Sequence, residues 1–307
     1  MRLPKTPGLI SSSLVLRPPA SVWAALAIGL LAFGSSPVLI RLAGDAPALT
    51  LAAWRTSAVA LALAPVALGP RRPELAGLSR RDWALALGAG VVLGLHFMAW
   101  ILSVQLTSIA SAAVLVTTSP LFIAVLGAVF LSERPSRRTT AAIGVAVVGA
   151  VMLGLSEGGG AERYPNPALG NAIALGAAVL VSVYLLLGRA VRQRASFVAY
   201  FWPVNAAAAA TCIVGCLVAG APLTLPLPIA GIALAMGLGP GLLGHGSFAN
   251  ALGYLPAALL GLLSLTEPVI ASAVAAVWFG EVPSALGMVG MAVVLAAIAA
   301  VVSARDG

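Results

Sequence analysis

Four ionisable side chains stand inside long apolar stretches of this sequence, namely Arg55, His96, His245 and Glu267. An ionisable group in hydrocarbon is costly, so such a group is a candidate for ligand binding or proton transfer unless it has a structural partner. Glu267 suits proton exchange, which makes it the coupling candidate, or the binding of an ammonium group. Alternatively it is a buried acid that stabilises a chain break at Pro268. We interpret Arg55 as a side chain that reaches toward the membrane interface or neutralises a carboxylate.

His96 and Trp100 are four residues apart, which places both side chains on one face of a helix. An imidazole there could hydrogen-bond a carboxylate, and an indole could stack on a substrate or hold an ammonium group. Alternatively, His96 bonds to a neighbouring backbone group and Trp100 packs against lipid or protein. His245 and Phe248 form a second pair of this kind, so we predict both pairs as substrate-binding candidates.

Hydroxyl groups precede a proline in one apolar stretch, where they either satisfy the carbonyl groups that the proline frees or contact a substrate. A glycine-rich stretch predicts either tight helix packing or a bend that lines a cavity. The remaining substrate-binding candidates are Thr117, Thr118, Ser119, Ser182, Tyr184, Trp202 and Asn205, and the hinge candidates are Pro120, Gly239, Pro240 and Pro268.

The composition indicates a polytopic membrane protein. Of 307 residues, 61% are hydrophobic and only 8% are charged, whereas about 25% are charged in soluble domains. The net charge of +8 comes from basic residues in short loops, which membrane orientation explains better than nucleic-acid binding. Cys212 and Cys216 share one apolar segment and fit as small hydrophobic residues, so we expect no disulfide, metal site or cofactor.

Ten apolar runs approach the roughly 20 residues that a membrane-spanning helix needs. Lipid-exposed backbone must satisfy its own hydrogen bonds, so the runs should be helices. They fall at about 22–41, 48–68, 83–105, 109–131, 139–156, 168–188, 197–218, 229–251, 256–279 and 284–303.

The second half of the sequence repeats the first with a shift of 148 residues and no gap. The matches include Arg41 with Arg189, Trp54 with Trp202, Ala110 with Ala258, Thr118 with Thr266, Pro120 with Pro268, Glu133 with Glu281 and Pro135 with Pro283. Five spans per copy require the copies to be inverted in the membrane, as is typical of secondary transporters. We therefore predict an all-α polytopic membrane protein with ten transmembrane helices in two inverted five-helix repeats.

The positions of the basic residues predict that both termini are cytoplasmic. Of the 17 Lys and Arg residues, Arg55 lies within a span, Arg41 and Arg163 lie outside, and the other 14 lie inside. The domains would be a cytoplasmic tail 1–20, a first repeat 21–156, a periplasmic linker 157–167, a second repeat 168–303 and a cytoplasmic C-terminus 304–307. The compact chain and its Ala- and Arg-rich usage favour a bacterial inner membrane.

The matching turns of the two halves resemble the EamA repeat of the drug/metabolite transporter superfamily. The residues that carry this resemblance are Ser119-Pro120, Leu131 to Pro135, Gly144 and Gly149 in the first half, and Gly253 to Ala257, Glu267-Pro268, Gly280 to Pro283 and Gly287 in the second. The resemblance implies export of small metabolites, often amino acids, through a cavity lined by the third, fourth, eighth and ninth helices. His96 and Trp100 make the substrate-tolerant and aromatic amino-acid exporters the nearest comparison.

We therefore expect a secondary transporter that exports small organic metabolites, with amino acids favoured, by alternating access. A multidrug or sugar-derivative carrier is one alternative, and an intramembrane lipid-modifying enzyme is another. The enzyme should show acids or histidines clustered at one interface, and the sequence has neither this cluster nor a nucleotide-binding loop or activated nucleophile. The expected partners are a small-molecule substrate and the lipid bilayer, without nucleic acid, and the oligomeric state stays open.

Overall fold

The computed structural model describes residues 18–107, 109–130, 135–156, 164–279 and 284–302. The predicted turn residues Glu133 and Glu281 and part of the linker lie outside these ranges. Every regular element within them is helical. The elements are α1 (Ala20–Leu42), α2 (Ala48–Leu68), α3 (Arg72–Ala76), α4 (Arg80–Leu106), α5 (Ile109–Val116), α6 (Ser119–Phe130), α7 (Arg137–Ser156), α8 (Pro167–Arg192), α9 (Phe197–Ala219), α10 (Leu227–Met236), a π-helical segment (Gly237–His245), α11 (Gly246–Ala251), α12 (Ala257–Ser264), α13 (Thr266–Phe279) and α14 (Ala285–Val302).

Eight helical stretches of the described chain are long and apolar enough to cross a membrane. Three of them are broken and consist of α5 with α6, α10 with the π-helical segment and α11, and α12 with α13. The protein is therefore a multi-pass helical membrane protein. The apolar part of α14 is shorter than the other spans, and α7 packs against it, so the count of ten spans stays a prediction.

The two repeats break their fourth helix at the same place. α6 begins at Ser119 and α13 at Thr266, so Pro120 and Pro268 lie in the first turn of a new helix. A proline is tolerated there because the first N–H groups of a helix have no intrahelical acceptor. The hydroxyls of Thr117 and Thr266 donate to carbonyl groups three or four residues earlier, at 2.8 Å each. They thus satisfy carbonyls that the breaks release.

The π-helical segment follows from its glycines and proline. Pro240 has no N–H to donate, and its ring crowds the carbonyl of the preceding turn, which a wider helix relieves. A Cβ on Gly237 would lie 2.6 Å from the Cβ of Ala58, and one on Gly241 would lie 2.9 Å from Val59 Cγ2. The segment is therefore both irregular and closely packed against α2. Tight packing and irregular backbone, which the sequence offered as alternatives for these glycines, occur together.

The halves interlock through their first helices. α1 packs against the π-helical segment, α11 and α13 of the second half, whereas α8 packs against α4, α5 and α6 of the first half. The result is two walls, which we call wall A (α1, the π-helical segment, α11 and α13) and wall B (α8, α4, α5 and α6). α2 and α9 pack against each other beside these walls. The space between wall A and wall B is where a site related to both repeats must lie.

Contacts between loops define two ends of the bundle. At one end Arg194 donates to Asp82 at 2.7 Å, and the amide of Ser196 donates to Glu74 at 2.9 Å. The predicted run 168–188 leaves Arg192 in the loop that follows, and this boundary is wrong. Arg192 belongs to α8 and is 8% exposed, because its guanidinium donates to backbone carbonyls including that of Ala249 at 2.8 Å.

The opposite end joins the loop after α9 to the start of α2. The hydroxyl of Thr50 donates to the Pro222 carbonyl at 2.6 Å, and the indole of Trp54 donates to the Leu223 carbonyl at 2.8 Å. Few charged residues lie here. By contrast, the first end carries Arg71, Arg72, Arg80, Arg81, Arg189, Arg192 and Arg194, and we call it the arginine-rich end.

Candidate functional site

A cavity lies between wall A and wall B, at the level where the helices break. Its volume of about 50 Å³ leaves room for a few water molecules, at roughly 10–15 Å³ each. The walls must therefore separate before a metabolite can enter. The lining residues are Phe33, Ser36, Arg55, His96, Phe97, Trp100, Val116, Thr117, Ser119, Val181, Leu185, His245, Phe248, Ser264 and Glu267.

Arg55 brings a cation to the centre of the cavity. Its side chain is 1% exposed, and its Cζ lies 4.0 Å from the ring centroid of Phe97, a cation–π contact. One guanidinium nitrogen donates to the hydroxyl of Ser36 at 3.3 Å, and Nε has no partner within the described residues. The guanidinium therefore does not reach the membrane interface, and it keeps unused donor capacity inside the bundle.

Glu267 brings a carboxylate to the same cavity. It lies in the first turn of α13, where the positive end of the helix dipole favours an acid. Its charge and that of Arg55 attract each other, yet the described residues contain no ion pair between them within 4.0 Å. The two charges thus face one cavity without neutralising each other directly.

Aromatic rings and two histidines fill the rest of the centre. The His245 ring meets Phe33 edge-on at 4.7 Å between centroids and Phe97 at 4.9 Å. Phe33 also contacts Phe248 at 4.9 Å. His96 Nδ1 lies 2.9 Å from the Ala177 carbonyl, which makes that nitrogen the protonated donor. The histidines are therefore fixed by packing and by a backbone bond.

The 148-residue register relates the lining of one wall to that of the other. Ten lining residues form five pairs at equivalent repeat positions, which are Phe33 with Val181, Phe97 with His245, Trp100 with Phe248, Val116 with Ser264 and Ser119 with Glu267. The cavity is therefore lined by equivalent positions of both repeats. Glu267 and His245 have no ionisable equivalent in the first repeat, so the cavity is chemically asymmetric.

Comparison with known proteins agrees with this architecture. Residues 20–155 and residues 168–303 each match the EamA-like transporter family. The chain belongs to the EamA-like transporter family. It is therefore a transporter and not an enzyme.

Two proteins are similar to the EamA-like chain along nearly its whole length. It is 29% identical over 294 residues to a probable terminal-alkyne amino-acid exporter of Streptantibioticus cattleyicolor, covering 91% of this chain and 92% of that protein. A protein of known crystal structure, 21% identical, superposes with a TM-score of 0.76 over 94% of this chain and 99% of its own. At 21% identity the second comparison shows the fold alone.

The residues predicted from the sequence divide into two groups in this EamA-like structure. Those that line the cavity are His96, Trp100, Thr117, Ser119, His245, Phe248 and Glu267. Those that lie away from its lining are Thr118, Ser182, Tyr184, Trp202 and Asn205. The hinge candidates Pro120 and Pro268 stand just after helix breaks, and Gly239 and Pro240 lie within the π-helical segment.

The second group has other surroundings. Ser182 donates to the Ser119 carbonyl at 3.0 Å and so ties α8 to the start of α6. Asn205 donates to the Phe201 carbonyl of its own helix at 2.8 Å, and Thr118 donates to Leu115 at 2.6 Å. Tyr184 is buried behind the lining, with its ring 6.0 Å from that of His245.

Several lining residues were not predicted, among them Phe33, Ser36, Phe97 and Val181. The repeat contained a usable signal, because shifting His245 by 148 residues leads to Phe97. Arg55 was noticed but interpreted as a structural residue. Its equivalent in the second repeat is Pro203, so the repeat gave no hint of its place.

Proposed function

We propose that this EamA-like protein exports amino acids and binds them as zwitterions between Arg55 and Glu267. The observation that carries the proposal is the pair of opposite charges, Arg55 and Glu267, that face one cavity inside the bundle without an ion pair. A buried charge is costly unless an opposite charge compensates it. A substrate with one carboxylate and one ammonium group compensates both, with the carboxylate at Arg55 and the ammonium at Glu267.

The helices that begin at the two breaks, α6 and α13, support the same orientation of the substrate. The first turn of α6 has no acidic residue, whereas that of α13 has Glu267. The positive dipole end of α6 is thus available to a substrate carboxylate, and that of α13 already faces an acid. Half-helix ends that point at an anionic group near the midplane are a recurrent feature of secondary transporters. The rings around the cavity favour an apolar side chain on the substrate.

Two sets of contacts at opposite ends of the bundle support the proposal of alternating access. At the arginine-rich end Arg189 donates to the Leu252 carbonyl at 2.7 Å, beside the bonds of Arg192. At the other end Gln105 donates to the Ala46 carbonyl at 2.8 Å. These contacts occupy nearly equivalent repeat positions, so breaking one set at a time would open the cavity to one side and then to the other.

The proposal predicts that transport requires both charged groups of the substrate. In liposomes containing the purified full chain, counterflow of labelled phenylalanine should be inhibited by free amino acids. N-acetylphenylalanine and phenylalanine amide should inhibit roughly 30-fold less, because each leaves one buried charge without a partner, at a cost of about 2 kcal/mol or more. Equal inhibition by the blocked analogues would refute zwitterion binding. Counterflow of drugs or nucleotide sugars without amino acids would favour the alternative carriers instead.

We further propose that the arginine-rich end is cytoplasmic and that the repeats are inverted. Ser136 and Ser284 provide a matched test, since they are exposed serines at equivalent repeat positions. Each accepts a bond from the backbone N–H three residues on, so each caps the helix that follows. In a background without Cys212 and Cys216, Ser136→Cys should react with an impermeant maleimide only from the cytoplasm, and Ser284→Cys only from outside. Labelling of both from one side would exclude inversion.

A further inference from the structure

One face of α8 leads from the cavity toward the arginine-rich end. Tyr184, Gly188 and Arg192 are spaced four residues apart, so they share that face, and we call them the α8 row. Next to the cavity, the Tyr184 ring lies 6.0 Å from that of His245. At the far end of the row, Arg192 is the last residue of α8. The α8 row therefore lies between the cavity and the arginine-rich end.

Gly188 makes room in this row for a side chain of α9. A Cβ on Gly188 would lie 2.5 Å from the Tyr200 hydroxyl, so this hydroxyl lies directly against the backbone of α8. It is a close neighbour of the Tyr184 hydroxyl. Both tyrosines are fully buried, yet neither hydroxyl has a hydrogen-bond partner within the described residues. Because an unpaired buried hydroxyl is costly, the two phenols point to a ligand with acceptor atoms.

Arg192 supplies a cation beside the Tyr200 hydroxyl. Its Nε donates to the Ala249 carbonyl at 2.8 Å, and its Nη2 donates to the Asn250 carbonyl at 3.2 Å. These two nitrogens form an edge of the guanidinium that can bind a carboxylate through two parallel bonds. Both acceptors belong to α11 in wall A, whereas Arg192 belongs to α8 in wall B. Separation of the walls at this end would therefore free the edge for another acceptor.

Leu252 covers the α8 row in this structure. A Cβ on Gly188 would lie 2.8 Å from Cδ1 of Leu252, and the Leu252 carbonyl accepts the bond from Arg189. Leu252 directly follows α11, so withdrawal of wall A would uncover both hydroxyls and the guanidinium edge together. Nη1 of Arg192 donates to Ala195 in the loop after α8, outside wall A. This bond would hold the guanidinium in place while the end is open.

We propose that Arg192, Tyr184 and Tyr200 form a second binding site, which takes the carboxylate of the substrate when the arginine-rich end opens. The proposal rests on the proposed function, because it requires a substrate with a carboxylate and an end that opens. The three side chains offer a cation and two hydroxyl donors but no acid. Glu74, which interacts with Arg192, is already bonded by Ser196. The site therefore requires the carboxylate of a ligand but not its ammonium group.

The test measures protection of a single cysteine beside the α8 row. Leu252 is fully buried, so Leu252→Cys, in the full chain without Cys212 and Cys216, should react with a maleimide from the arginine-rich side only when this end opens. Phenylalanine and N-acetylphenylalanine should slow the reaction at similar concentrations. Phenylalanine amide should be at least about tenfold weaker, because it lacks the carboxylate. Should Leu252→Cys not fold, Asn250→Cys is the second reporter.

Variants of the two tyrosines assign the protection to the site. Tyr184→Phe and Tyr200→Phe should each raise the N-acetylphenylalanine concentration for half-protection about fivefold or more, because each removes a donor to a charged acceptor. Tyr164→Phe is the matched control, since it makes the same change in an exposed tyrosine that precedes α8 at the opposite end. It should leave half-protection unchanged. Arg55→Met should also leave it unchanged, because this ligand does not need the cavity.

The results separate this site from the zwitterion site. The second site would be overturned by absence of protection, by equal protection from phenylalanine amide, or by half-protection that is unchanged in both tyrosine variants. Loss of protection in Arg55→Met would also overturn it, since the ligand would then lie in the cavity. If the protein transports no amino acid but N-acetylphenylalanine still protects, the zwitterion site fails and the carboxylate site stands.

Discussion

Replacement of Arg55 by methionine is expected to lower amino-acid transport by roughly 30-fold or more. Truncating one partner of a buried charge pair costs about 2–5 kcal/mol, much of it from the charge left without a partner. Here the substrate carboxylate would enter a cavity without its cation. Methionine keeps a long apolar stem and a favourable sulfur contact with Phe97, so the bundle should retain its packing. The measurement is kcat/KM of phenylalanine counterflow in liposomes.

Two comparisons separate loss of the site from loss of the fold. Arg55→Lys keeps the charge but not the planar fork that binds a carboxylate through two nitrogens, so it should give an intermediate rate. Phenethylamine lacks the carboxylate, and Arg55→Met should therefore raise its inhibition of phenylalanine counterflow relative to that of phenylalanine itself. If kcat/KM for phenylalanine is unchanged in Arg55→Met, the guanidinium does not bind the substrate.

The architecture was largely predictable because lipid imposes strict conditions on the backbone. Long apolar runs must be helices in a membrane, and the observed helices follow the predicted runs to within a few residues. The breaks before Pro120 and Pro268 were also indicated, since proline cannot continue a helix without losing a bond. The repeat register then required the second break to match the first. These features depend on local composition, which the sequence displays directly.

The inward faces of the helices were much less predictable. In a soluble protein the polar face of a helix indicates the outside, but lipid is as apolar as a helix interface. Trp202 and Asn205 were predicted as substrate-binding residues, yet both lie on α9 away from the cavity lining. The position of Arg55 depends on how closely α2 approaches the π-helical segment at Gly237 and Gly241. The face that each helix turns toward the cavity follows from contacts between helices that are far apart in the sequence.

Glu267→Gln is expected to abolish accumulation of substrate driven by a pH gradient while preserving exchange of substrate for substrate. Burial favours the uncharged form of a carboxyl group, and a cavity that opens alternately to two sides lets such a group take up a proton on one side and release it on the other. Glutamine has the shape of the protonated acid but carries no proton across. Its amide oxygen still accepts a bond from the substrate ammonium, so exchange continues at a higher substrate concentration.

The interpretation depends on the other charged or titratable groups that face Glu267, which are Arg55, His96 and His245. Glu74→Gln is the matched control, because it makes the same change in a carboxylate outside the cavity, where Glu74 bonds to Ser196. Accumulation should survive in this control.

If accumulation by Glu267→Gln equals that of the unmodified protein, Glu267 is a structural acid at the start of α13. In that case the driving force is either the substrate gradient alone or a proton carried by one of the two histidines, and His245→Phe then becomes the informative variant. Phenylalanine is the residue at the equivalent position of the first repeat, so this change keeps the ring contacts and removes only the titratable nitrogens.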